Sequence, residues 1–166
     1  YFLTRGKDMM KAAEDEKEPV KKEEKRMAAL RFYKTAAEVF GRLRERFPNH
    51  QLAGMTAVRS AQCYMQAEEL GLALDTFQKV ITDPNMDKEL VSESMYWAGD
   101  CFMRLADGQV NRTQPVGNIK APTGAEALAK AYQMFKKITW DYPESKWARF
   151  ARHRLQDPRL AKIDTN

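Results

Sequence analysis

The chain is poor in the residues that usually announce chemistry. Of 166 residues, two are Cys and two are His. Cys63 and Cys101 are too few for a disulfide framework, and their spacing matches no paired-cysteine metal motif. His50 and His153 have no Cys, Ser or carboxylate partner at catalytic or ligand spacing, so each reads as a surface or capping histidine. The patterns GxxxxGK, GxGxxG, HExxH and GxSxG do not occur, which removes the common nucleotide-binding, zinc-protease and hydrolase signatures. No catalytic residue, metal or cofactor is implied, and the chain reads as a non-enzyme.

Long apolar runs are missing too. Stretches such as Met27 to Leu30 are only a few residues long, against the roughly 20 that a membrane-spanning helix needs. The chain opens Tyr1-Phe2-Leu3, without Met or a charged-then-apolar leader, so a signal peptide is absent or lies outside this segment. It reads as part of something larger. Seven Pro and eight Gly are few for this length, and the abundance of Ala, Met, Leu, Glu, Lys, Arg and Gln leans the composition towards helix. Lys and Arg outnumber Asp and Glu by 28 to 23, a net charge of +5, but the signs are interleaved, which favours a solvated helical surface over a phosphate-binding patch.

What is present is repetition. Ser60-Ala61-Gln62-Cys63-Tyr64 returns 38 residues later as Ala98-Gly99-Asp100-Cys101-Phe102, with small, Cys and aromatic positions in register. Ala, an aromatic four residues on and an aliphatic three beyond occurs as Ala36/Phe40/Leu43, Ala73/Phe77/Val80 and Ala131/Phe135/Ile138, all on helical spacing. Phe47-Pro48-Asn49-His50-Gln51-Leu52-Ala53 returns as Tyr142-Pro143-Glu144-Ser145-Lys146-Trp147-Ala148, with Pro84 at the equivalent place between them. These are joints between helices, because Pro halts one helix and is tolerated in the first turn of the next. A period of this size built from two helices means an all-α solenoid of about three to four stacked antiparallel hairpins.

The combination resembles tetratricopeptide repeats, in particular the variety found in bacterial outer-membrane assembly lipoproteins and Tol-Pal accessory proteins. There, repeats join through an aromatic-Pro-x-Ser-x-x-Ala turn, matched here by residues 142–148. The resemblance covers residues 27–155 and implies a bacterial periplasmic or cell-envelope location. It makes Ala61/Tyr64 and Gly99/Phe102 the small and aromatic residues of two first helices. It further implies a concave surface formed by the first helices, with contacts one position after the small residue, three before it and four after. Those positions are Val58, Gln62 and Met65, then Tyr96, Asp100 and Met103, with Gln66 and Arg104 alongside. The family's early Trp and Leu are replaced by Ala57 and Ser60, then by Met95 and Ala98, and no Lys and Asn stand where some relatives clamp a carboxyl terminus.

Along the chain, residues 1–26 read as a degenerate first helix, with Gly6 and Met9 as a weak copy of the small-aromatic element, followed over 14–26 by a charged stretch that is either a solvated helix, for which Pro19 fits a start, or a linker. Amphipathic helices are expected over 27–47, 51–67, 71–82, 88–106, 125–140 and 143–155, then a tail over 156–166. Residues 107–124, with Gly108, Pro115, Gly117, Pro122 and Gly124, read as an inserted loop in the third hairpin. Its Pro115, Val116, Ile119 and Lys120 could lie extended against a partner, or the loop is a spacer. Cys63 and Cys101, on successive first helices, read as small buried hydrophobes rather than a disulfide or redox pair.

The function expected is a protein-interaction scaffold that helps assemble or tether a multiprotein complex. Apolar faces at the solenoid ends would be covered by further repeats or by self-association. A second class is a nucleic-acid-binding repeat using the basic C-terminal end, where Lys146, Arg149, Arg152, Arg154, Arg159 and Lys162 interleave with Trp147 and Phe150. A solvated cap on the last helix explains those charges better. A third is the regulatory domain of a larger enzyme.

Overall fold

The computed structural model describes residues 1–108 and 124–163, and every regular element among them is a helix. In order these are α1 (Phe2–Glu14), α2 (Pro19–Arg46), α3 (Ala53–Gln66), α4 (Leu70–Ile81), α5 (Lys88–Ala106), α6 (Gly124–Asp141), α7 (Lys146–Arg154) and α8 (Pro158–Ala161). Each helix from α1 to α6 packs on the next, giving hairpins α1/α2, α3/α4 and α5/α6, closed by α7 and by the single turn α8, which packs back on α6. The all-α solenoid of hairpins is therefore the observed architecture.

Local chemistry sets the boundaries. Pro19 opens α2, where its missing N–H costs nothing. Asp87 caps α5 by accepting from the backbone N–H groups of Glu89 (2.8 Å) and Leu90 (3.3 Å). Ser145 caps α7 by accepting from the Trp147 N–H. The joint from Tyr142 to Ser145 thus occupies four residues before α7 starts, and the expected start at 143 moves to Lys146.

The repeat elements become the core. Ala73, Phe77 and Val80 of α4, and Ala131, Phe135 and Ile138 of α6, are all fully buried. Each such Phe contributes roughly 1.5–3 kcal/mol by leaving water. Opposite them stand the small residues of the first helices. A Cβ placed on Gly99 would lie 2.7 Å from Cε1 and Cζ of Phe135, so the bare backbone of α5 is what lets α6 approach.

The first hairpin follows the same rule in a different register from the one the sequence suggested. A Cβ on Gly6 of α1 would come within 3.0 Å of the Tyr33 ring, which makes Tyr33 the counterpart of Phe135. The matching triplet in α2 is therefore Ala29/Tyr33/Ala36, with exposures of 0%, 5% and 4%. Ala36/Phe40/Leu43, one heptad further on, is not equivalent: Phe40 is half-buried and Leu43 is 41% exposed.

Two boundaries also move. The charged stretch before residue 27 is not a linker beyond Glu18, because α2 already runs from Pro19, and Arg26 reaches Glu68 at the α3–α4 turn at 2.5 Å. Residues 156–163 are not a free tail: Leu160 of α8 is fully buried and Ile163 packs on the same cluster. At the other end, α1 turns Thr4, Arg5, Lys7, Asp8, Lys11 and Glu14 to solvent, a charged outer face rather than an apolar one.

Candidate functional site

First helices touch along the array, α3 with α5 and α5 with α7, whereas no comparable contact joins α2, α4 and α6 among the described residues. α3, α5 and α7 therefore lie side by side on one flank of the array, the flank that the resemblance expects to be concave.

One stripe of α5 organises that face. Glu93, Tyr96 and Asp100 stand at i, i+3 and i+7 and therefore share a helix side. From α3, Gln62 donates to Glu93 Oε1 at 3.0 Å, Arg59 lies 3.5 Å from the same oxygen, and Arg59 also donates to Gln62 at 2.5 Å. Two turns along, Arg104 Nε donates to Asp100 Oδ2 at 3.1 Å. Arg154 reaches across from α7 to Asp100 Oδ1 and donates from Nε to the Tyr96 hydroxyl at 3.2 Å. Each buried acid is thus held by a neighbouring first helix, satisfying the rule that buried charge must be paired. Burial works against the Arg154 guanidinium, but its bonds to Tyr96 and Asp100 prevail and hold it firmly protonated.

Between the ionic rungs lies an aromatic cluster. The Tyr96 ring sits 5.1 Å from Trp147, 5.3 Å from Trp97, 5.7 Å from Phe135 and 6.0 Å from Phe150, in tilted and edge-on contacts. Phe150 keeps 40% of its surface exposed. On α3, Met55, Arg59 and Gln66 are exposed and Gln62 partly so, continuing the stripe from the neighbouring hairpin.

The expected groove residues divide by polarity. Gln62, Gln66, Tyr96, Asp100 and Arg104 lie on or beside the stripe. Val58, Met65 and Met103 do not: at 1%, 1% and 4% exposure they belong to the core and offer a partner nothing. An apolar side chain at the edge of a helix–helix seam gains more by turning inward than by waiting in water. Arg59, Glu93 and Phe150 were not singled out for the groove, although the polar spacing Arg59, Gln62, Gln66 on α3 was a readable signal. The loop candidates Pro115, Val116, Ile119 and Lys120 lie outside the described residues.

The remaining special residues have structural settings. His50 Nδ1 accepts from the Leu52 N–H at 3.2 Å, capping the α2–α3 joint, and His153 is exposed on α7. Cys63 and Cys101 are free and buried, in separate clusters. Desolvation pushes the Cys63 thiol up to about 11 and Cys101 higher still. Among the described residues no group of three His, Cys, Asp or Glu side chains is arranged to hold a metal ion, and no helix is long and apolar enough to cross a membrane.

The basic end is broken up by its own pairing. Arg154 serves Asp100, Arg159 binds Asp107 and Asp157, and Lys146 lies 3.9 Å from Glu89. Arg149 stacks over Phe150 at 5.3 Å.

No curated protein and no solved structure matches the chain. A family model, YfiO, described as outer membrane lipoprotein, matches residues 15–165, nearly the whole chain and every helix after α1. With hairpins, joints and that match in agreement, the chain belongs to the YfiO family of outer membrane lipoproteins.

Proposed function

We propose that this chain is a non-catalytic interaction scaffold that helps assemble or tether a multiprotein complex at the bacterial cell envelope, with the concave face of α3, α5 and α7 as its contact surface. Membership of an outer-membrane lipoprotein family supports the compartment and a protein-interaction role. The observation that carries the choice of face is the Glu93–Tyr96–Asp100 stripe, where side chains from three successive first helices converge on one surface. Convergence of fixed polar groups beside a half-exposed aromatic is what a specific interface needs. A peptide or helix laid along the stripe would meet Met55, Gln62 and Gln66 from α3, Tyr96 from α5 and Phe150 from α7.

Nucleic-acid binding finds less support, because a phosphate track needs unpaired cations in a row, and Arg154 and Arg159 at the C-terminal end are committed to internal carboxylates. Photo-cross-linking in intact envelopes tests the scaffold reading. A photoreactive residue at Gln62 or Gln66 should capture protein neighbours, and one at Gln78 on α4 should capture fewer. Equal or inverted yields contradict the assignment of the face.

A further inference from the structure

Formal charge on the concave stripe is close to balanced, yet what a partner would meet is not. Three arginines and two acids form the rungs. The side chains of Arg59, Arg104 and Arg154 keep 45%, 30% and 39% of their surface exposed, whereas Glu93 and Asp100 keep 10% and 9%. The carboxylates lie at the floor and the guanidiniums at the rim. Each guanidinium carries five N–H donors, and these ion pairs use a minority of them. Asp100 in particular holds two arginines with a single charge, which leaves one positive charge in excess at that rung. The acid nearest the end of the stripe, Glu89, is engaged by Ser145 at 2.7 Å and faces Lys146.

Resting on the scaffold reading of this face, we infer that the groove takes an acidic segment of a protein partner, whose carboxylates dock at two sites, one at Arg59 and one at the Arg104–Arg154 pair. The floor acids Glu93 and Asp100 are seven residues apart on α5, a rise of about 10 Å. A partner helix with acids at i and i+7 repeats that spacing, and its intervening apolar residue would rest on Tyr96 and Phe150. Guanidinium groups suit this task because their planar donors pair with carboxylates in two-pronged fashion, and they are already oriented by the floor acids. Pre-orientation lowers the ordering cost that docking must overcome. Partner acids then share the arginines with the floor acids rather than displace them, so the hairpins need not separate.

Fluorescence anisotropy on the full chain tests this with a stapled helical peptide carrying two glutamates seven residues apart around a central Leu. Controls are the same peptide with lysines, a version with the glutamates adjacent, and a single-stranded oligonucleotide. The seven-spaced acidic peptide should bind tightest, with affinity falling as salt rises. Arg59→Gln and Arg104→Gln should each weaken it about tenfold, equivalent to one broken charged contact, while Arg152→Gln on the exposed outer side of α7 should leave it unchanged. Arg59 is at the rim, so Arg59→Gln keeps the test informative if Arg104→Gln perturbs folding. Equal binding of the lysine or adjacent-glutamate peptide, tighter binding of the oligonucleotide, or indifference to Arg59→Gln would overturn the inference. If Gln66 still cross-links envelope proteins while the acidic peptide fails, the inference falls and the scaffold reading stands. If cross-links at Gln62 and Gln66 are also absent, both fall.

Discussion

Replacing single helical glycines by alanine separates the register of the repeats from their mere helicity. Three positions receive the same chemical change in different surroundings. In an open helix the change gains stability, about 1 kcal/mol, by removing the flexibility of glycine. At Gly41 of α2 the added Cβ would find only Ser60 Oγ at 3.8 Å, ordinary contact, so Gly41→Ala should stabilise by about 0.5–1 kcal/mol. At Gly99 it would lie 2.7 Å from two atoms of Phe135, a ring with no exposed surface and no room to swing. Overpacking there costs about 2–3 kcal/mol, so the net effect of Gly99→Ala is a loss of about 1–2 kcal/mol. At Gly6 the approach to Tyr33 is 3.0 Å, and the two effects should nearly cancel. Urea denaturation gives the order Gly41→Ala above wild type, Gly6→Ala near it and Gly99→Ala below, with unchanged slope. Thermal midpoints should separate by roughly 2–4 °C per kcal/mol. If Gly99→Ala stabilises as much as Gly41→Ala, then α5 and α6 are not held together by a small residue admitting an aromatic ring, and the assigned register is wrong.

Ser145 should matter beyond its size: it caps α7 and also meets Glu89 and Ser92 of α5 at 2.7 and 2.9 Å, so Ser145→Ala should cost about 1–2 kcal/mol in the same denaturation assay. Arg159 holds the Asp157 carboxyl down to about 2, below its usual 3.8, so its contribution is fully present above pH 4 and is lost as pH falls towards 2. Asp157→Asn should therefore remove a small part of the stability loss seen between pH 4 and 2, and a titration curve unchanged in that window would speak against the pairing. Both thiols should resist iodoacetamide at pH 8 in the folded protein, Cys101 more than Cys63, and react at equal rates in denaturant; mass spectrometry of timed samples reads the difference.

Much of the fold was legible because its signals are redundant. Phe77 and Phe135 each sit at the centre of an alanine-aromatic-aliphatic triplet, are preceded by a matching small residue on the first helix, and end in a proline-marked joint. The first hairpin misled because α2 is 28 residues long and carries two alanine-aromatic pairs one heptad apart, Ala29/Tyr33 and Ala36/Phe40, on nearly the same face. Only the contact of Gly6 with Tyr33 decides between them. Leu160 was missed because a single-turn helix has no period to read. In the proposed groove, the family positions on α3 and α5 fall partly on the polar stripe and partly in the core. Polarity sorts them: Gln62 stays partly exposed, Asp100 is buried but ion-paired on the floor of the stripe, and Val58, Met65 and Met103 turn into the core. Pairings such as Arg154 with Asp100 connect residues 54 apart and have no local signature.

A cryo-electron microscopy structure of the chain in its native envelope complex tests the scaffold assignment most directly. The partner should lie in the concave cleft, against Arg59, Tyr96, Phe150 and Arg154, with acidic side chains at the arginines. A partner seated instead on the outer faces of α2, α4 and α6, with the cleft open to solvent, would contradict it.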